Sequence, residues 1–500
     1  MTTHVGALDL VDTRDGPVRG RVERDPDGRG VRVFRGIPYA APPVGPRRFA
    51  APAPVAPWRE PFDAARFGPS APQPSGGPLA GLVPGMTVGT QDEDCLTLNV
   101  WTPATSTSGG ARPVMVWFHG GAFTIGGSSL PTYDGARLAC EGDVVVVSCN
   151  YRLGALGFAS VDAPNCGLLD QLAALEWVRA NAAAFGGDPG NVTVFGESAG
   201  AGCILHLLAA PGARGRFRRA IVQSGATNLT LQPDAAAEVA NAFGRHLGVE
   251  VDAVDALRAT PVADVLAAQE ATAASVFATV GMMPFHPVAD GDVVASAPLG
   301  AVAAGVADDV ELLIGTTRDE MRLFFGVDTA LDRDRLARRV DRLVGAADGP
   351  ALLAAYEASA EPGRDEPGAL WADVMTDAEM TRPAVAIADA HAARGATTYS
   401  YLFTWPAAPG PVELGACHAI DLPFTFGTLD REGWSDFVAD ADAAEALSAR
   451  VRAAWCAFAR DGDPGWPRYE PSRRTTMLLG RDARPADDPF GARLRTWPVS

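Results

Sequence analysis

The chain contains no lysine; each of its 42 strong cations is an arginine. That absence excludes Schiff-base catalysis, a pyridoxal-phosphate anchor, a Walker-type phosphate loop and a serine–lysine dyad. Long apolar runs are missing too. No stretch of about 18 apolar residues occurs, so no membrane span is expected. Residues Met1 to Leu10 lack a basic start followed by an apolar segment, so no secretory signal is expected. An excess of positive charge is absent: 60 acidic side chains against 42 basic ones leave a net charge of −18. Nucleic acid and anionic membranes would be repelled by such a chain. An acidic surface also keeps a protein soluble without any further role. The seven cysteines, Cys95, Cys140, Cys149, Cys166, Cys203, Cys417 and Cys456, include no Cys-x-x-Cys pair. Zinc-site spacing is therefore missing, and the expectation is buried, reduced thiols in a cytoplasmic protein.

What is present is an ordinary globular composition, 47% hydrophobic and 20% charged. The length alone would suit about three domains, but large α/β folds run as one unit. No internal repeat or low-complexity linker interrupts the chain. Residues 68–90 are rich in Gly, Pro and Ser and read as a loop. Val114–Phe118 and Val144–Val147 are continuous apolar runs of strand length, as in a sheet covered on both faces. Leu169–Val178 reads as a helix. Strand and helix alternate from about residue 94 to 225, which predicts a mostly parallel α/β sheet with crossover helices. Residues 232–280 and 330–400 are Ala-rich with helical periodicity. The expected organisation is one α/β domain over residues 1–500 with helical insertions in those two stretches.

Phe195-Gly196-Glu197-Ser198-Ala199-Gly200 joins the β-branched run Asn191–Val194 to the apolar helix Ala201–Leu208. A serine flanked by glycines two positions away on each side, on a strand-to-helix turn, is the nucleophile-elbow pattern. By itself the motif also fits a glycine-rich turn with an incidental serine. The strand-then-helix context selects Ser198 as a nucleophile. Directly after the Val114–Phe118 run comes His119-Gly120-Gly121-Ala122-Phe123. Small residues there let backbone amides approach a developing oxyanion. The predicted donors are the amides of Gly121, Ala122 and Ala199.

A nucleophilic serine needs a base, and the base needs an orienting acid. Five histidines follow Ser198, and His206 faces away by its helical spacing. His286, His391 and His418 remain open on spacing alone. Asp319 and Glu320 follow the strand-like run Leu312–Gly315, at the end of a strand where open α/β sheets place their sites. A lone Asp-Glu pair is also common as a solvated turn.

These motifs together resemble the type B carboxylesterase family, which includes cholinesterases and bacterial para-nitrobenzyl esterases. The resemblance runs almost end to end. It includes Phe34–Gly45, Glu93–Val100, the His119–Phe123 loop, Asn150–Gly154, Gly167–Gln171, the elbow, Gln223-Ser224-Gly225, Gly315–Glu320 and the His418 loop. It implies an α/β-hydrolase fold and a serine esterase that acts on small-molecule esters with no metal or organic cofactor. It assigns Ser198 as nucleophile, Glu320 as acid and His418 as base. Glu197 and Ser224 resemble positions near the triad, where structural hydrogen bonding is the simpler role. A third-position alanine in the oxyanion loop implies tolerance of bulky alcohols. Phe123, Met282, Met283, Phe285 and Phe325 are the candidates for pocket lining, with core packing as the alternative for each.

The departures from the family pattern are specific. Met321 stands where the family usually has glycine. Cys95 matches a disulfide-bonded cysteine of secreted relatives, yet residues 1–94 hold no partner for it. The 68–90 loop has no tryptophan, which argues against cation–π capture of choline. The competing readings are an amidase or carbamate hydrolase with the same triad, and a catalytically silent binding protein on this fold. A monomer or small homo-oligomer is expected.

Overall fold

The computed structural model describes residues 8–74, 81, 83–105, 110–225, 229–361, 363–438 and 440–498. Among them, thirteen strands form one sheet. Its centre is parallel. Strand β1 (Arg112–Phe118) lies between β2 (Val145–Cys149) and β3 (Gly187–Glu197). Outward from β3 the parallel run continues through β4 (Arg219–Gln223), β5 (Glu311–Thr317), β6 (Thr398–Phe403) and β7 (Thr475–Leu479). Antiparallel strands flank this run: Thr97–Pro103 pairs with β2, and Arg484–Asp487 pairs with β7.

The apolar runs are strands buried on both faces. Along β1, Val114, Val116 and Phe118 enter one apolar core, while Met115 and Trp117 enter the other. Val145 and Val147 of β2 follow the first set, and Val146 the second. Successive side chains point to opposite faces, so a strand with a core on each side needs an unbroken apolar run. Helices Cys166–Asn181 and α1 (Ala199–Ala209) pack into the first core. Helices Ala136–Gly142 and Ala441–Asp461 contribute to the second.

Helices Pro233–Leu247, Val254–Ala259 and Val262–Ser275 occupy the first Ala-rich stretch. Arg333–Val344, Gly349–Ser359, Pro367–Thr376 and Arg382–Ala393 occupy the second, whose end from Thr398 onward already belongs to β6. Within the 68–90 loop, residues 75–80 and 82 lie outside the described residues. Its base is tied where Ser70 N donates to Thr90 O at 2.9 Å. No described helix is long and apolar enough to cross a membrane. All seven cysteines are unpaired; Cys140 is half-buried and the other six are buried.

Candidate active site

Parallel strands end along one edge of the sheet, and four of them place polar groups together there. β3 ends at Glu197 and α1 begins at Ala199, so Ser198 alone turns the chain. Its φ of 54° and ψ of −124° are rarely adopted by non-glycine residues. The neighbouring glycines are required by space. A Cβ on Gly200 would lie 2.0 Å from Phe118 O, and one on Gly196 would lie 2.8 Å from the same oxygen. Ser198 N donates to Gln223 O at 2.9 Å, which ties the turn to β4. The serine is half-buried.

The loop after β1 lies against this turn. A Cβ on Gly120 would meet Glu197 Oε2 at 2.7 Å and Ser198 Cβ at 3.0 Å. Gly121, Ala122 and Phe123 hold φ values of 117°, 52° and 59° in succession. Such a run is costly for residues with a Cβ and persists only where the surroundings enforce it. Among the described residues, the amides of Gly121, Ala122 and Ala199 donate to no backbone acceptor. These three sequence-predicted donors are thus without a backbone partner, and Gly120, next to Gly121, lies against Ser198.

A second set of groups at this edge is ionisable. Glu320 is fully buried, and its Oε2 lies 2.6 Å from His418 Nδ1. Its Oε1 accepts from Ser224 Oγ at 2.5 Å and from Thr317 N at 2.8 Å. A carboxylate held at both oxygens fixes the imidazole edge it meets in one orientation. Asp319 works on the same loop differently. Its Oδ2 accepts from Ala416 N at 2.7 Å, and its own N donates to Ala416 O at 2.9 Å. Burial raises its pKa, but Arg318, Arg364 and Arg322 outweigh that and hold it below the usual carboxylate range. Asp319 therefore pins the main chain two residues before His418, while Glu320 takes the ring. Met321 has φ −80° and ψ −6°, an ordinary right-handed conformation that needs no glycine. Its N donates to Thr376 Oγ1 at 3.1 Å.

The other histidines are engaged elsewhere. His391 bonds Thr398 Oγ1 at 2.7 Å and Ala307 O at 3.2 Å. His286 bonds Met283 O at 2.6 Å. His206 bonds Gly202 O at 2.7 Å and Thr230 Oγ1 at 2.9 Å. Of the three left open by spacing, His418 is the one brought to Glu320.

His418 Nε2 lies 3.0 Å from Glu197 Oε1. That approach falls outside hydrogen-bond geometry, since Glu197 Oε1 has no hydrogen-bond partner among the described residues. It is a charge contact. Burial, with smaller upward pushes from Asp421 and Glu320, outweighs the downward pull of His418 and raises Glu197 to about 8. For His418, burial acts downward, and the charges of Glu197 and Glu320 act upward and prevail, leaving it at about 9. Two such groups in contact titrate as a pair. Asp421, buried beside them, is pushed up to about 6 by burial despite its bond from Gln223 Nε2 at 2.9 Å. No periodicity marks Asp421 in the sequence; its place three residues after His418 is the one cue.

The pocket candidates separate. Phe123 is buried, with its ring 5.6 Å from Phe158 and 6.1 Å from His286. Phe285 packs on Phe243 in the core. Met283 is half-buried. Met282 and Phe325 are 61% and 48% exposed. In the short helix α2 (Arg322–Phe325), the residue that meets the site is Phe324, its ring 5.1 Å from that of His418. A four-residue helix shows no periodicity, so sequence could not assign its inner face.

A family model described as "Carboxylesterase family" matches residues 8–497. The chain is 39% identical to a para-nitrobenzyl esterase of Bacillus subtilis (strain 168), covering 96% of each chain. It is 38% identical to a phenmedipham hydrolase of Pseudarthrobacter oxydans, covering 90% of this chain and 92% of that one. A thermophilic PNB esterase superposes with a TM-score of 0.85 at 37% identity, over 98% of this chain and 100% of that one. A Geobacillus stearothermophilus carboxylesterase gives 0.84 at 37% identity with the same coverage.

Proposed function

The chain belongs to the carboxylesterase family, and from that premise we propose that Ser198, His418 and Glu320 are its catalytic residues. The fold is that of the α/β hydrolases, and the activity is hydrolysis of carboxylic esters. The observation that supports the assignment of residues is the 2.6 Å contact of Glu320 with His418 beside the strained Ser198 turn.

Ser198 Oγ attacks the ester carbonyl carbon while His418 Nε2 accepts its proton. For this the imidazole edge turns from Glu197 to Ser198, a bond that tightens in the substrate complex. The carbonyl π pair moves to oxygen, and the amides of Gly121, Ala122 and Ala199 hold the charge. His418 then protonates the leaving alcohol as its C–O bond breaks; later it takes a proton from the attacking water and returns it to Ser198 Oγ as the acyl–Oγ bond breaks and the acid leaves. Glu320 keeps the imidazole in the Nδ1–H tautomer and stabilises its charged form. Ser224 and Thr317 hold Glu320 in place. Seven unpaired thiols fit a reducing compartment, and we assign the chain to the cytoplasm.

The test is Ser198→Ala assayed with p-nitrophenyl esters of increasing acyl length. Turnover is expected to fall roughly 10³-fold or more with the melting temperature unchanged. Near-full activity in a folded Ser198→Ala protein overturns the assignment. A matched amide series measures how strictly the site is an esterase.

A further inference from the structure

The three proposed oxyanion donors differ in what aims them. In a trans peptide, an N–H points opposite to the carbonyl of the residue before it, and no cis peptide occurs among the described residues. Whatever holds that carbonyl aims the N–H. Behind Ala199, Ser198 O accepts from Gly202 N at 2.8 Å, an ordinary helical bond. Behind Ala122, Gly121 O accepts from Thr124 N at 3.0 Å and Ile125 N at 2.9 Å. Behind Gly121, among the described residues, no backbone donor reaches Gly120 O. Its partner is a side chain: His119 Nδ1, at 2.9 Å.

We propose that His119 is a positioning residue for ester hydrolysis: its Nδ1–H holds the Gly120–Gly121 peptide so that Gly121 N–H faces the oxyanion on Ser198. The proposal rests on the oxyanion reading above. A ring nitrogen bonded to a carbonyl oxygen must carry the proton, which fixes the tautomer. Burial holds this imidazole neutral, with its pKa lowered to about 4. Its Nε2 is buried and has no partner among the described residues, so nothing competes for the ring's orientation. The ring is stacked on Tyr151, with centroids 4.6 Å apart and planes at 25°. The Tyr151 hydroxyl donates to His119 O at 2.7 Å, which clamps the same segment one peptide earlier. Gly121 has no Cβ to restrict its turn and sits at φ 117°, so its peptide needs an external brace.

Two substitutions separate the stack from the donor. His119→Phe keeps an aromatic ring against Tyr151 and loses Nδ1–H. His119→Asn loses the ring but places an amide N–H where Nδ1 stood. The probe is a trifluoromethyl ketone matched to a good ester substrate, with the corresponding secondary alcohol as control. On the ketone, Ser198 Oγ bonds to the carbonyl carbon, the π pair becomes an alkoxide, and the serine proton passes to His418. The adduct therefore reports oxyanion binding without turnover. His119→Phe is expected to lower kcat about 10- to 100-fold at nearly constant KM, and to weaken the ketone by the same factor but not the alcohol. His119→Asn is expected to recover most of both losses despite a lower melting temperature. His119→Leu, lacking ring and donor, replaces the Phe variant if that fails to fold. A folded Phe or Leu variant with full kcat and full ketone affinity overturns the role of His119, as does an Asn variant no better than Phe. A wild-type protein that binds ketone no tighter than alcohol overturns the oxyanion reading itself.

Discussion

One half of the site is main chain: the glycine-rich loop from His119 to Gly126, at positive φ at Gly121, Ala122, Phe123 and Gly126, together with the first turn of α1. The other half is made of ionisable side chains, Glu197, Glu320, Asp421 and His418, all buried. On the proposed mechanism, the first half stabilises charge with fixed dipoles that do not reorganise during the reaction. On the same mechanism the second half moves a proton, and its state depends on solvent pH. The difference teaches where each half is vulnerable. A single added methyl group threatens the backbone half, whereas loss of one charge threatens the other.

The comparison breaks first at Glu320. Glu320→Gln preserves shape, yet the amide cannot hold the imidazolium, and kcat is expected to fall roughly 10³- to 10⁴-fold with little change in melting temperature. If the loss is under tenfold, the acid of the site lies elsewhere. Gly121→Ala tests the backbone half, because the new Cβ would lie 2.2 Å from Ile125 O at a positive φ. Its kcat is expected to drop about 10²-fold with the pH profile unmoved. A shifted profile would mean the halves are not separable in this way.

Asp319→Ala sharpens the contrast within the charged half. It leaves Arg322, which is 1% exposed, without its buried counter-charge, and the expected cost is about 3–5 kcal/mol of stability in urea unfolding. A variant as stable as wild type would deny Asp319 its structural role. The smallest effect belongs to Glu197→Gln. In the wild type, kcat/KM should rise with pH as the Glu197–His418 pair loses its proton, because only neutral imidazole accepts from Ser198. Removing the Glu197 charge takes away an upward pull on His418. The rising limb of the profile is then expected to move to lower pH, with kcat changed less than in the other variants. An unmoved limb would show that the two groups do not titrate together.

The backbone half was the more legible one in the sequence, and the reason is physical. The elbow and the oxyanion loop are local: a strand, a glycine turn and a helix in one contiguous stretch. Their constraints are steric, and steric constraints write themselves as glycine. The charged half joins residues far apart in the chain. Spacing could not separate His286, His391 and His418, and family resemblance alone singled out His418. In the structure the choice rests on hydrogen bonds: His391 is engaged by Thr398 and Ala307, and His286 by Met283. Asp319 and Glu320 are likewise indistinguishable as neighbours, because their difference lies in which atom of the 415–418 loop each one reaches. The apolar strands were readable because double burial demands unbroken runs. The pocket was not, since Phe324 and Phe325 differ only by the rotation of a single short turn.

The wide separation of those partners has a consequence for biosynthesis. His418 and Glu320 stand 98 residues apart, and Glu320 and Ser224 stand 96 apart. His418 follows Ser198 by 220 positions (418 − 198). At typical translation rates, the nascent chain carries its serine and oxyanion loop for roughly 11 to 44 s before the histidine has been added. On the proposed assignment, the growing polypeptide holds a nucleophile without a base throughout that interval, so hydrolytic capacity arrives late and all at once, when the segment carrying His418 joins the sheet.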